Sequence, residues 1–222
     1  MSLAGDIASK LTNMKPSEYL YIIGAGHGGI NPSTGKYVTS GKRSPKFADG
    51  TTLYEGVNNR INAKLIVSSL KSAGLSAVLL VDTWEDISLS DRVEAVNELA
   101  KGRKCVYISI HSDAYGKGWT TPSGISAYTS VGQTKSDDFA EIAINNLEDN
   151  FGQSVLWRFD NTDGDKDKEA HFYVLKNTSC PAVLFELGFH SNKAQARRMQ
   201  TDEWRSKIVK SIVDTCKEWD KK

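Results

Sequence analysis

The chain has 222 residues and carries 28 lysines and arginines against 27 aspartates and glutamates, a formal net charge of +1. That balance gives no global attraction to nucleic acid or to an anionic membrane, and no apolar run approaches the roughly 20 residues a membrane helix needs. Cys105, Cys180 and Cys216 are odd in number and far apart, against a disulfide framework or a cysteine-based zinc knuckle. Cys105 and Cys180, at the starts of apolar runs, read as small core residues.

Residues 5–13 suggest a short helix ending before Pro16, and MSL at the start reads as a cloning remnant, with 1–15 partly disordered. The stretch MSLAGDIASKLTNMKPSEY lacks the apolar core of a secretory signal. Tyr19 to Gly24 is a compact apolar strand that breaks into glycines around His27. Residues 28–52, rich in Gly, Ser, Thr and Lys, keep no apolar period and read as a long surface loop, of the kind that is usually functional. A helix follows from Tyr54 to Ala73, with Val57, Ile61, Leu65 and Leu70 at helical spacing, stopped by Gly74. Leu75 to Val81 is a second strand. Ser88 or Ser90 caps a helix to Lys101, with Leu89, Val93, Val96 and Ala100 on its inner face. Val106 to His111 is a central strand, and Gly124 to Ser130 an edge strand.

Ser136 to Asn150 is helical, with Phe139, Ile142, Ala143 and Leu147 facing inward. Residues 158–170 form a charged loop whose acids Asp160, Asp163, Asp165 and Asp167 resemble a calcium loop in composition but fail the EF-hand pattern, so a solvated loop is expected. Phe172 to Leu175 and Ala182 to Leu187 are short strands. Residues 193–219 are helical, broken near Thr201, where TDEW makes a fresh N-cap with acids in the first turn. Strands alternate with helices throughout. The expected fold is α/β, one domain over 1–222, with a twisted mixed, mostly parallel sheet of about six strands covered by helices on both faces.

Three strand ends then carry the chemistry: His27 after the first strand, His111 after the central one, and Glu186 within AVLFELGF. Gly24, Gly26 and Gly29 spell a dinucleotide fingerprint, but INPSTGKY follows where a helix must open, so nucleotide binding is set aside. The glycines are read instead as letting the backbone turn around His27. Two imidazoles and a carboxylate suggest a metal-dependent hydrolase, since a catalytic zinc wants three protein ligands and an open position. Glu55, opening the long helix, is the best third ligand; Asp49 and Asp113 are its rivals. Glu186 is costly to bury unless paired, either in a salt bridge with Arg92 or as a general base beside the metal. His171 and His190 are candidates to line or rim the pocket, and Trp119 or Trp157 to offer a sugar platform.

IIGAGHGG (22–29), YEGVNNRINAKL (54–65), LSDRVEAVNELA (89–100), VYISIHSDA (106–114) and PAVLFELGFHSN (181–192) together resemble the zinc-dependent N-acetylmuramoyl-L-alanine amidases of cell-wall remodelling and phage endolysins. The resemblance implies one Zn2+ held by His27, Glu55 and His111, with Glu186 as the catalytic glutamate. It implies hydrolysis of the amide between N-acetylmuramic acid and L-alanine in peptidoglycan, by a monomer at the bacterial cell wall. Gly24-Ala25 stands where the family often has Asp-Pro, and 28 positions separate His27 from Glu55, more than in simpler members. The alternatives are a zinc carboxypeptidase acting on the stem peptide and a non-catalytic peptidoglycan-binding domain. The absent export signal fits either its removal or release of a phage type.

Overall fold

In YLYIIGA both alternating sets of side chains are apolar, so the segment is stable only as a strand buried on two sides. The computed structural model, which describes residues 3–8, 17–162 and 164–222, has this strand as β1 (Tyr19–Ala25). Tyr21, Ile23 and Ala25 enter one core, Leu20 and Ile22 the other. The same division runs through β3 (Lys104–Asp113) and β6 (Ala182–Phe189). Val106, Ile108 and Ile110, with Val183, Phe185 and Leu187, face the first core; Tyr107 and Leu184 face the second. Burying each such side chain contributes roughly 1.5–3 kcal/mol. The first core is closed by α2 (Glu55–Ser72), α4 (Lys135–Phe151) and α7 (Asp202–Trp219). The second is closed by α1 (Leu3–Ala8), α3 (Leu89–Leu99) and α5 (Tyr173–Lys176).

With β2 (Ser76–Leu79), β4 (Ser126–Thr129) and β5 (Lys168–Glu169), the sheet runs β2-β1-β3-β6-β4-β5. β2, β1, β3 and β6 are parallel; β4 runs antiparallel to β6 and parallel to β5. The expected mixed α/β sheet is therefore present. The chain leaves β1 through α2 on one face to reach β2, then crosses by α3 on the other face to β3, on the far side of β1. Such a reversal opens a crevice at the carboxyl ends of the two strands, where ligands of open α/β sheets bind.

Several expectations are corrected. The segment at 124–130 is not the edge: β5 pairs outside β4, Tyr128 with Lys168 and Thr129 with Glu169, so two charged residues blunt the border. The 158–170 segment is thus not all loop. Phe172 to Leu175 is not a strand but most of the one-turn α5, because Val174 and Leu175 are buried as neighbours rather than alternately. The inner face of α2 is misread: Ile61 and Leu65 are exposed, while Asn58, Asn59, Asn62, Ile66 and Leu70 are buried. Leu89 is likewise exposed, and Arg92 is buried in its stead. The expected N-terminal helix is Leu3–Ala8; residues 9–16 lie outside the described residues. The three cysteines are free; Cys105 and Cys216 are buried, whereas Cys180, expected in the core, is only partly buried.

The break before α7 does fall at Thr201. Its Oγ1 accepts from Trp204 N at 3.2 Å and donates to Arg198 O at 2.7 Å, tying α7 to α6 (Lys193–Arg198). Thr201→Ala is expected to cost about 1 kcal/mol, a fall of about 2–4 °C in Tm for a chain of this size, and Thr201→Ser to recover most of it. Calorimetric melts of the three proteins check this; equal Tm values would remove the cap from the account.

Candidate metal centre

β1 ends in glycines because side chains from β3 occupy the space beside them. A Cβ on Gly26 would lie 2.1 Å from His111 Cε1, and one on Gly24 2.6 Å from the Tyr107 hydroxyl. The tight turn itself is made by the histidine: His27 has φ 63°, a conformation costly for a side-chain-bearing residue. Its carbonyl accepts from Arg60 Nη1 at 2.7 Å and from Arg92 Nη2 at 3.3 Å, and Arg92 Nη1 donates to Ala25 O at 2.7 Å. Two arginines thus hold the turn that aims the imidazole. The reading that the glycines make the turn is corrected: they permit close approach.

His27 Nε2 and His111 Nδ1 each lie 3.3 Å from Glu55 Oε1, and one donor atom from each residue falls within 4.8 Å of the other two. Ser112 N donates to the same Oε1 at 3.1 Å. Glu55 is 1% exposed, and its Oε2 is buried with no hydrogen-bond partner. The period-two alternation of β3 and β6 puts His111 and Glu186 on one face, and the strand register sets them side by side. Glu186 Oε2 is also buried and unpartnered. The two histidines and Glu186 border a cleft of about 550 Å³ whose walls include Lys42, Asp86, Phe172 and Tyr173.

Burial works to raise the Glu55 carboxyl, but the hydrogen bonds and charges of His111 and His27 outweigh it and hold the group well below the usual range. Burial lowers His111 despite the pull of Glu55, favouring the neutral imidazole that has a lone pair to give. Burial drives Glu186 the opposite way, well above the ordinary glutamate value, helped by the charges of Glu55 and Asp113 and opposed by Lys42. One carboxylate is therefore held ionised and a second poised to carry a proton. Two imidazole nitrogens and one carboxylate oxygen, around a buried anion with an unpartnered oxygen, suit a divalent metal with an open coordination position.

The other sequence candidates fall elsewhere. Asp49 pairs with Arg197 and Thr51 at the surface. Asp113 accepts from its neighbour's Ala114 N–H and is not in the cluster. Arg92 does not pair with Glu186; its guanidinium serves the carbonyls of Ala25, His27 and Ile87. His190 is buried behind the centre, its Nδ1 3.0 Å from Ser112 Oγ and 3.9 Å from Glu55 Oε2. His171 is exposed. Trp119 packs on Phe47 and Trp157 stacks on Phe159, and neither borders the cleft. Arg60, Lys42, Phe172 and Tyr173 escaped sequence reading; only Arg60, inside the NNRIN run beside Glu55, offered a local signal.

The sequence profile of the N-acetylmuramoyl-L-alanine amidase family matches residues 22–218, and the chain belongs to that family. It is 28% identical over 169 residues to the N-acetylmuramoyl-L-alanine amidase LytC of Bacillus subtilis, covering 75% of this chain but only 31% of LytC. It is 25% identical to the amidase AmiA of Escherichia coli, covering 87% of this chain and 73% of AmiA. The crystal structure of an N-acetylmuramoyl-L-alanine amidase from Clostridium difficile superposes with a TM-score of 0.74 at 23% identity, over 92% of this chain and 97% of that one, a likeness of fold.

Proposed function

We propose that this chain hydrolyses the amide between N-acetylmuramic acid and L-alanine in peptidoglycan, with one Zn2+ held by His27, Glu55 and His111 and with Glu186 as the proton carrier. Family membership supports the substrate. The observation that carries the metal is Glu55: a fully buried carboxylate whose partners are two imidazoles and a backbone N–H, with one oxygen left unpartnered. When bound there, Zn2+ would supply Lewis acidity to the amide carbonyl and to a water. Glu186 takes the proton of the attacking water and returns it to the amide nitrogen as the C–N bond breaks. Arg60 and Arg92 fix His27 by its backbone, and Ser112 fixes the Glu55 carboxylate. Lys42 brings a positive charge from the 30–52 loop to the cleft, and the exposed rings of Phe172 and Tyr173 offer apolar area to a sugar or a stem peptide. The chain works as a single monomeric catalytic domain at the bacterial cell wall. No described helix is long and apolar enough to cross a membrane.

The test pairs metal content with product analysis, on wild type and on Glu55→Ala. About one zinc per wild-type chain, and free stem peptides beginning with L-alanine, are expected, with both lost in the variant. Shortened stem peptides would indicate a peptidase, and binding to the cell wall without turnover a non-catalytic domain. Zinc retained by Glu55→Ala would refute the ligand set.

A further inference from the structure

Away from the cleft, three more carboxylates converge where α4 begins and the chain enters β5. One oxygen each of Asp137, Asp165 and Asp167 lies within 4.8 Å of the other two. Asp137 is 5% exposed and Asp167 only 1%. Thr129 Oγ1 lies 2.6 Å from Asp167 Oδ2 and 3.2 Å from Asp137 Oδ1, with a single proton to donate between them. Asp137 Oδ2 accepts from Thr134 N and Oγ1 at 2.6 and 2.9 Å, closing the α4 capping box, and Gln133 Nε2 donates to Asp165 Oδ2 at 3.0 Å. The Oδ1 atoms of Asp165 and Asp167 are buried and accept nothing. Among the described residues no lysine or arginine forms an ion pair with any of the three; Lys166, between two of them, turns to Glu148.

We infer that Asp137, Asp165 and Asp167 bind one hard divalent cation of the calcium kind. Three carboxylates brought together out of water repel one another, and the neutral donors around them leave the two buried oxygens unsatisfied. The donor set is all oxygen, with no imidazole or thiolate, which suits Ca2+ or Mg2+ and not zinc; Ca2+ tolerates the irregular geometry of a loop better, completing its shell with water. Burial and the charges of Asp165 and Asp137 push the Asp167 carboxyl up, in keeping with the cost of gathering three carboxylates with no cation among them. Of the acids at 160–167, Asp165 and Asp167 thus contribute to a site, but not as an EF-hand; Asp163 lies outside the described residues. Asp160 turns outward to Thr162, and Asp137 joins from α4.

The cation would clamp the charged segment to β4 and α4. β5 has only two residues, and Phe172 and Tyr173 of the cleft wall follow after Ala170 and His171. The site itself is independent of the chemistry proposed for the cleft.

Calcium titrated into zinc-loaded protein at pH near 7.5 tests the inference by calorimetry and by thermal midpoint. Wild type is expected to bind about one Ca2+ with a Kd below about 1 mM and to melt a few degrees higher at saturation. The double variant Asp165→Asn, Asp167→Asn relieves the repulsion. It should melt without calcium no lower than wild type, and show neither binding heat nor a midpoint shift. Should the double variant fail to fold, Asp165→Asn alone, at the half-buried position, should weaken binding at least tenfold. No binding by wild type at about 10 mM Ca2+, ten times the weakest expected Kd, or binding unchanged in the variants, would overturn the site.

Discussion

Glu186→Gln is expected to slow release of stem peptides from purified peptidoglycan by about 10²- to 10⁴-fold, the contribution of a positioned general acid–base, with zinc content unchanged. Glutamine keeps the size and shape of the side chain but cannot carry a proton. Glu186 is not among the three residues whose donor atoms cluster, so metal retention should not depend on it. The pH profile gives a second readout. Burial disfavours the charged form of Glu186, so the base is ionised only above a pKa raised from the usual 4.5. The acid limb of kcat/KM should therefore lie above that value, with activity rising as pH rises through it. The same shift costs stability in the other direction. A carboxyl raised on folding binds a proton more tightly in the native state, so stability is fullest below the unfolded pKa and declines as pH rises through the folded one. Loss of less than tenfold in rate, or loss of zinc alongside the rate, would remove Glu186 from its role.

Gly26→Ala is expected to displace His111 and to lower zinc affinity by about 10- to 100-fold, comparable to losing a residue that orients a metal ligand, with a fall in turnover to match. The added Cβ would stand 2.1 Å from Cε1, 2.4 Å from Nε2 and 2.5 Å from Nδ1 of the ring. Neither side can easily yield. Gly26 N is bonded to Ile110 O at 2.9 Å, which fixes the turn to β3, and the ring is held by Glu55. Crowding of this kind in a packed region also costs about 1–3 kcal/mol of stability. Zinc content after dialysis against a weak chelator, with a melt of each protein, checks both effects. Wild-type zinc retention with full activity would mean that His111 is free to move and that Gly26 is not needed where it stands.

Much of this was legible in the chain because it depends on local order. The apolar runs of β1, β3 and β6, the cap at Thr201 and the alternation of strands with helices are nearest-neighbour properties, and each appears where the residues put it. His27, His111 and Glu186 stood out for the same reason: each is a polar group interrupting or ending a stretch that otherwise forms only a buried strand. Glu55 was visible as the first residue of a helix, which favoured it over Asp49 and Asp113 without excluding them. The preference for it rested on its place at the helix start and on the family resemblance; the tertiary structure buries Glu55 between two imidazoles and sends Asp49 to Arg197 at the surface. The face of α2 was misread because Asn58, Asn59 and Asn62 are buried toward the site while Ile61 and Leu65 point outward; hydrophobicity identifies a buried face only where the buried partners are apolar.

The same division explains the remaining misses. Lys168–Glu169 has no strand signal of its own and becomes one by pairing with β4. Asp137 closes the α4 capping box, and only the folding of the chain brings Asp165 and Asp167 against it. The sequence by itself determined the long strands and helices and which polar residues interrupt them, because hydrophobic periodicity and caps act over a few residues. Only the tertiary structure decided which of those polar residues meet, because strand order, crossover and register bring together groups far apart in the chain, and burial then sets their charge.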